Sequence, residues 1–351
     1  MMAHSVSPRT VFERPAASDA VEPPEAHGVA RDAVKLLVAR PGGVSHARFA
    51  DLGEHLRPGD LLVVNNSATL PAAVDGRRAG RPVAVHFSVA RGEKVWVVEP
   101  RPAGAAPGHL TDIRPGERID LPGGGGVVIA SSYPEPGVMG ARLWTARVIL
   151  EGDVGAYLAR HGRPIRYSYV PRPWPLRYYQ TVFARHPGSA EMPSAARPFT
   201  AELVTELVSR GIGIAPITLH AGVSSAEAGE PPTPEQFEVP APTARMVNAT
   251  RAGGGRVIAV GTTVTRALES ATGSDGVVRQ AGGWTDLVLG PGRPPRVVDG
   301  LITGWHDAGA SHLLLLEAVT GPNLVAMAYR EAVTHGYLWH EFGDSALLLP
   351  A

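Results

Sequence analysis

The sequence predicts a mixed α/β protein with a small antiparallel β-barrel inserted into it. Three features carry that prediction. Residues 256–260 (RVIAV) form a short β-branched run that turns at Gly261 into a helical stretch over 264–271, as a buried strand feeding a helix does. Between about 73 and 150 the helical period is lost, and short strand-like runs alternate with Gly- and Pro-rich turns, the texture of a small sheet or barrel. From residue 151 helices and strands alternate again. A main α/β domain is therefore expected from residues 29–72 and 151–351, with the barrel at 73–150.

Composition narrows the class. At 351 residues, 44% of them apolar and 19% charged, the chain is globular and long enough for two domains. Lys plus Arg and Asp plus Glu stand at 33 each, so a polyanion would have to meet a local basic patch. There is no cysteine, which excludes disulfides, thiolate metal sites and cysteine nucleophiles. No window is long and apolar enough to span a bilayer and no secretion signal is read, so a cytoplasmic location is expected.

Taken in order, residues 1–28 are rich in Pro, Ala, Ser and Glu and read as a loosely held arm. Strand 34–39 is followed by a short helix at 49–56, stopped by Arg57-Pro58-Gly59-Asp60. Strand 61–64 delivers Asn65-Asn66-Ser67 at its carboxyl end, a place where α/β sheets line ligand crevices and where Asn and Ser also form ordinary turns. The barrel strands are read at 83–89, 94–98, 118–121, 127–131 and 141–149. The run Pro122-Gly123-Gly124-Gly125-Gly126 lacks the Lys-Ser/Thr of a phosphate loop and reads as a hairpin tip. Next come a helix at 153–160 and a loop at 163–177. Thr200 caps a helix that Gly211 ends, strand 212–219 places His220 at its tip, and a loop at 224–240 precedes a helix at 242–251. Strands are read at 283–291 and 296–301. Residues 311–319 suit either a helix or a buried strand; a helix at 324–335 and a strand at 346–349 close the chain.

Two stretches offer sites. The helix after Gly261 is capped by Thr262 or Thr263, and its first N–H groups suit a carboxylate or phosphate. Arg266 and Glu269, three apart, share one face of that helix. The same residues also fit a capped surface helix with a structural ion pair. The loop at 163–177 interleaves Arg163, Arg166, Arg172 and Arg177 with Tyr167, Tyr169 and Trp174, which suits nucleic acid or equally an ordered loop packed on the core.

Read together, the motifs resemble the S-adenosylmethionine:tRNA ribosyltransferase-isomerase family of the queuosine pathway, from about Arg31 onward. The resemblance is carried by Arg31-Asp32 with Lys35-Leu36-Leu37-Val38, Ser45-His46, Leu56-Arg57-Pro58-Gly59-Asp60-Leu61, Tyr179-Gln180-Thr181-Val182-Phe183-Ala184, Pro187-Gly188-Ser189 and Thr218-Leu219-His220. Its strongest block is Gly254-Gly255-Arg256-Val257-Ile258-Ala259-Val260-Gly261-Thr262-Thr263, followed by Arg266 and Glu269. Thr285-Asp286, Val297-Val298-Asp299, Thr303, His306, Ala328-Tyr329-Arg330-Glu331-Ala332 and Gly343-Asp344 complete it.

The resemblance implies an α/β domain with an inserted barrel. It implies S-adenosylmethionine as a co-substrate whose ribosyl portion passes to 7-aminomethyl-7-deazaguanine in tRNA, giving epoxyqueuosine as adenine and methionine leave, with no metal. The sulfonium acidifies the adjoining ribose hydrogens, so a general base is needed. On this resemblance His220, His306, Glu269 and Asp299 are the catalytic candidates. Asn65, Thr262, Thr263, Arg266 and Asp286 would hold the nucleoside, and Arg163, Arg166, Tyr179, Gln180 and Thr181 the acceptor. The chain departs from the family in four motifs. Asn-Asp-Thr-Arg becomes Asn65-Asn66-Ser67-Ala68, and Pro-Thr-Ala-Gly-Leu-His-Phe becomes Pro193-Ser194-Ala195-Ala196-Arg197-Pro198-Phe199. The turn after Thr-Leu-His becomes Ala221-Gly222-Val223-Ser224-Ser225, and Pro-Lys-Ser-Thr becomes Ala308-Gly309-Ala310-Ser311. Three functions follow as expectations: the tRNA enzyme, a paralogue with a small-molecule acceptor, and a non-catalytic binding protein. None involves a membrane, and a monomer is compatible with each.

Overall fold

A computed structural model of the chain describes residues 7–104, 107–223 and 232–350. Its centre is a nine-stranded mixed sheet, in the order Ala281–Thr285, Glu235–Val239, Gly213–Leu219, Leu61–Asn65, Val257–Val260, Gly300–Thr303, Ser345–Leu348, Lys35–Arg40 and Gly43–Arg48. The four strands from Gly213–Leu219 to Gly300–Thr303 run parallel, so their carboxyl ends share one edge. These strands are apolar on both sides because both faces are covered. Leu61, Val63, Val257 and Ala259 pack under the helices Ala241–Ala252, Thr262–Ser270, Ser311–Thr320 and Pro322–Thr334. Leu62, Val64, Ile258 and Val260 meet Phe49, Phe199 and the helix Ala201–Ser209 on the opposite face.

The second unit is a closed six-stranded barrel in the order Leu143–Ile149, Val95–Pro102, Arg81–Ala90, Ala73–Arg78, Arg118–Asp120 and Gly126–Tyr133. Val74, Val85, Phe87, Val98, Ile119 and Val127 fill it. Sequence reasoning found five of these strands and missed Ala73–Arg78, whose last four residues (Asp75, Gly76, Arg77, Arg78) have no apolar alternation. That strand closes the barrel by pairing with both Arg81–Ala90 and Arg118–Asp120. The glycine run is a tight hairpin tip, with Gly123 at φ 65°.

Other readings are corrected. Gly43–Arg48 is an edge strand, and Glu235–Val239 is a strand where a loop was expected; of that loop, residues 224–231 lie outside the described part. Both strands are seen only once their partners are in place. The expected strand at 296–301 is reduced to Gly300–Thr303, and 311–319 is resolved as the helix Ser311–Thr320.

The described part of the expected loose arm is tied down. Glu317 Oε1 accepts from Thr10 N and Oγ1, both at 2.7 Å, and Trp339 exchanges backbone hydrogen bonds with Ser18 and Ala20. Arg197, only 1% exposed, donates to Glu25 Oε2 at 2.7 Å and lies over the Phe342 ring. The strap is poor in apolar residues, but its polar groups find buried partners far along the chain. Burial pushes the Glu25 carboxyl up, but the hydrogen bond and charge of Arg197, its own peptide N–H and Arg31 outweigh this and hold it below the usual range. A depressed carboxyl stabilises the fold above its unfolded value, and that stability is lost as pH falls through the folded one. Arg197→Ala is therefore expected to cost roughly 2–4 kcal/mol at pH 7, read from urea denaturation, with the deficit shrinking at acid pH. An unchanged midpoint would show that the pair does not hold the strap.

Candidate active site

The parallel strands present Leu219, Asn65, Val260 and Thr303 at one edge. Asn65 staples that edge. Its amide donates to Leu219 O at 2.8 Å, and its oxygen accepts from Leu219 N and Ser67 N at 3.1 and 3.0 Å. Gly261 then turns into the helix Thr262–Ser270 with φ 98°, a conformation suited to glycine. A Cβ there would also sit 3.3 Å from Ala195 Cβ. The expected threonine cap is absent: Gly261 is the N-cap and no side chain caps the helix. Thr263 Oγ1 instead accepts weakly from Asn65 at 3.4 Å.

Over this edge lies a cleft of about 490 Å³, bounded by the helix start, the loop after Thr303, the segment 167–169 and the barrel. Its barrel wall carries Arg101 and Arg142, both ion-paired at 3.1 Å to Glu99, which is fully buried. Burial raises Glu99, but the hydrogen bond from His86 and the charges of Arg101 and Arg142 bring it down to about 2. Burial keeps His86 below its ordinary value, so we read it as a neutral donor while the guanidiniums supply the opposing charge. On the other wall Tyr167 donates to Glu191 and Tyr169 to Glu341. His306 stacks on His312 with centroids 4.5 Å apart and rings 2° from parallel. Burial holds His306 well below its usual value, with His312 and His340 adding to the effect. Burial and the Arg266 charge bring His312 to about 4. Both are neutral at pH 7. Trp305, in the same wall, has an indole N–H without a partner among the described residues.

Of the sequence-predicted residues, Thr262, Thr263, Arg266 and His306 line the cleft. His306 Nε2 is 3.2 Å from Thr303 Oγ1. His220 lies in a separate depression of about 470 Å³ with Gln236 and Glu238, its Nδ1 2.8 Å from Ser67 Oγ. Burial and then His186 lower its pKa. His220 therefore does not share the cleft with His306.

Glu269 and Asp299 are corrected as catalytic candidates. Glu269 accepts from the peptide N–H groups of Arg296, Val297 and Val298, at 2.8, 2.9 and 3.1 Å. Asp299 accepts from Val257 N at the amino end of its strand, away from the cleft edge. Asp286 is exposed beside the cleft and does not line it. Arg266 pairs with Glu235 and donates to the carbonyls of Leu287, Thr285 and Thr233, so its charge is met within the fold.

The five acceptor candidates serve the scaffold and do not line the cleft. Arg163 pairs with Asp75, and its backbone exchanges hydrogen bonds with Ala73. Arg166 donates to the carbonyls of Val170 and Pro171. Tyr179 is buried against Phe342, and Gln180 bonds both N and O of Thr69. Thr181 is buried with no hydroxyl partner among the described residues. The loop at 163–177 contributes Tyr167 and Tyr169 instead.

Residues that sequence reasoning missed are Arg101, Arg142, Glu191, His312, His340 and Glu341. Glu99 and Arg101 had a signal: charges inside a barrel-strand run are expensive unless paired. Arg142, inside the expected run 141–149, had the same signal; the others sit in loops or on a helix and gave none. Among the described residues His46, Glu331 and His335 bring ligand atoms within 4.8 Å of one another, outside this cleft.

Because Arg266 ties its helix to Glu235 and to three carbonyls, Arg266→Ala is expected to cost roughly 3–5 kcal/mol of fold stability. Thermal unfolding of the variant without ligand checks this, and a midpoint equal to wild type would return Arg266 to a ligand-only role.

Comparison with known proteins places the chain. A family model described as queuosine biosynthesis protein matches residues 9–348. The S-adenosylmethionine:tRNA ribosyltransferase-isomerase of Symbiobacterium thermophilum is 37% identical, covering 91% of this chain and 94% of that one. The protein of the same name from Moorella thermoacetica is 35% identical over 96% and 98% of the two chains. The crystal structure of S-adenosylmethionine tRNA ribosyltransferase from Thermotoga maritima superposes with a TM-score of 0.52 at 26% identity, covering 96% of this chain and 99% of that one. With the family model spanning almost the whole chain, this protein belongs to the queuosine biosynthesis protein family.

Proposed function

We propose that the cleft takes S-adenosylmethionine as a co-substrate and that the chain is an S-adenosylmethionine:tRNA ribosyltransferase-isomerase of queuosine biosynthesis. The observation behind this reading is the cleft at the carboxyl ends of the parallel strands, in a chain that matches enzymes of that name over nine-tenths of its length. The start of the helix Thr262–Ser270 offers peptide N–H donors and a positive dipole end to the carboxylate of the methionyl part. Tyr169, partly exposed in the cleft wall, offers an aromatic surface for adenine. His306, neutral through burial, is positioned to accept a proton or to bond to a departing group. A cytoplasmic protein that meets tRNA follows from the same reading.

A second reading, a paralogue with a small-molecule acceptor, is favoured by where the family departures fall. Pro193, Ser194, Ala195, Ala221, Gly222, Val223, Ala308, Ala310 and Ser311 line the cleft, so three of the four altered motifs converge on it; Ser224 and Ser225 lie outside the described residues. The arginines meant for tRNA are also engaged internally: Arg163 with Asp75, Arg166 with two carbonyls, and Arg172 with Glu22. Chromatography of adenine formed from S-adenosylmethionine separates the readings. Release that requires tRNA bearing the aminomethyl-deazaguanine base is the expected outcome. Release with free amines but not tRNA would establish the paralogue, and no adenine under any acceptor would leave a binding protein.

A further inference from the structure

The cleft has an acidic end to which the proposed reaction gives no task. Tyr167 donates to Glu191, Tyr169 donates to Glu341 Oε2 at 2.6 Å, and all four residues line the cleft. Glu341 arrives there on a strained turn. His340 before it has φ 70°, one of two non-glycine residues with positive φ among the described residues. That conformation is clamped from several sides. His340 Nε2 lies 2.9 Å from Asp19 Oδ1 and 2.8 Å from Arg14 Nη1, and Arg14 reaches Asp307 at 3.2 Å. The His340 ring stacks on Tyr169 at 4.1 Å. The N-terminal strap thus holds a costly turn whose product is a carboxyl group in the cleft wall.

The groups around Glu341 are mostly acidic or phenolic: Glu191, Asp19, Tyr167, Tyr169 and Tyr179, with Arg14 and His340 turned toward Asp19. Burial raises its carboxyl to about 7, and the charges of Glu191 and Asp19 push the same way against the Tyr169 bond and its own peptide N–H. Among the described residues, the charged groups acting on this carboxyl are the acidic Glu191 and Asp19.

We propose that Glu341, with Glu191 beside it, receives a cationic centre of the ligand, the sulfonium or the ammonium of S-adenosylmethionine. The inference rests on the reading that this cleft holds that nucleoside. Charge-assisted contacts in a partly dry cleft are the strong ones, and they form only with the ionised carboxylate.

Calorimetry with three probes tests it. S-adenosylmethionine carries both cations, S-adenosylhomocysteine the ammonium alone, and methylthioadenosine neither. At pH 8 wild type is expected to rank them in that order, and Glu341→Gln, which keeps an acceptor for Tyr169, to close at least one gap by roughly tenfold. Loss of the first gap identifies the sulfonium as the group received, and loss of the second the ammonium. Wild-type affinity for S-adenosylmethionine is expected to weaken from pH 8 to pH 6 more than that of the variant, as Glu341 takes up its proton. If both gaps persist in the variant, the receptor is not Glu341. If no probe binds wild type, the reading of the cleft itself falls, and this inference with it. Folding supplies a separate readout. A carboxyl raised from 4.5 to about 7 makes wild type lose stability as pH climbs between those values, so the variant should unfold at or above the wild-type midpoint at pH 8. A lower midpoint would mean that the charge is already compensated inside the fold, overturning the proposal.

Discussion

Where parallel strands stop, the ladder pairing their peptide groups stops with them, and each buried N–H and C=O there still needs a partner. The rest of this protein depends on how that edge is satisfied. Asn65 meets both backbone groups of Leu219 and the N–H of Ser67, while Gly261 N donates to Ile302 O as the chain swings into the next helix. At the amino ends Asp60 does the corresponding work, accepting from Arg256 at 2.5 and 3.0 Å and from Arg57 N at 2.8 Å. With both ends of the sheet pinned, the carboxyl edge becomes a fixed polar rim on which a cleft can be built.

The cleft then imposes its own constraint, because charges in a partly dry cavity must be paired or neutralised. Arg266 is met by Glu235, and Arg101 and Arg142 by Glu99. His306 and His312 stay neutral. Among the described residues Glu341 takes a phenol donor, Tyr169, beside its carboxylate neighbours. The wall is thus divided into a basic barrel side and an acidic side presented by the segment around Tyr169 and Glu341. A fold can be kept while its site is rebuilt, and three of the altered family motifs fall on the cleft wall. The strands retain their apolar pattern, whereas the loops at 193–195, 221–223 and 308–311 line the cleft.

The N-terminal segment shows why composition alone misread part of the chain. Its few apolar residues suggested no docking, yet Thr10, Asp19 and Glu25 are held by Glu317, by Arg14 with His340, and by Arg197. Polar side chains in a Pro-rich stretch resemble those of a solvated arm until Arg197, Glu317 and His340, about 170 to 320 residues away, are in place. Arg197 stands in a motif that departs from the family, and the structure gives it a use, as the buried anchor of that strap.

By itself the sequence determined the elements with strong local patterns. The buried parallel strands are legible as apolar runs, Thr200 as a cap, and the barrel as strands without helical period, because burial and backbone geometry act over a few residues. It also determined the family, through motifs in fixed order. Only the tertiary structure decided which polar residues line the cleft and which hold the frame. Glu269, Asp299, Gln180 and Arg166 were assigned to the site and instead bind backbone groups. Glu191 and Glu341 carried no local signal and line the cleft with Tyr169. The reason is physical: a side chain's task is set by the groups that surround it, and those groups come from strands, barrel and strap that meet only when the chain has folded.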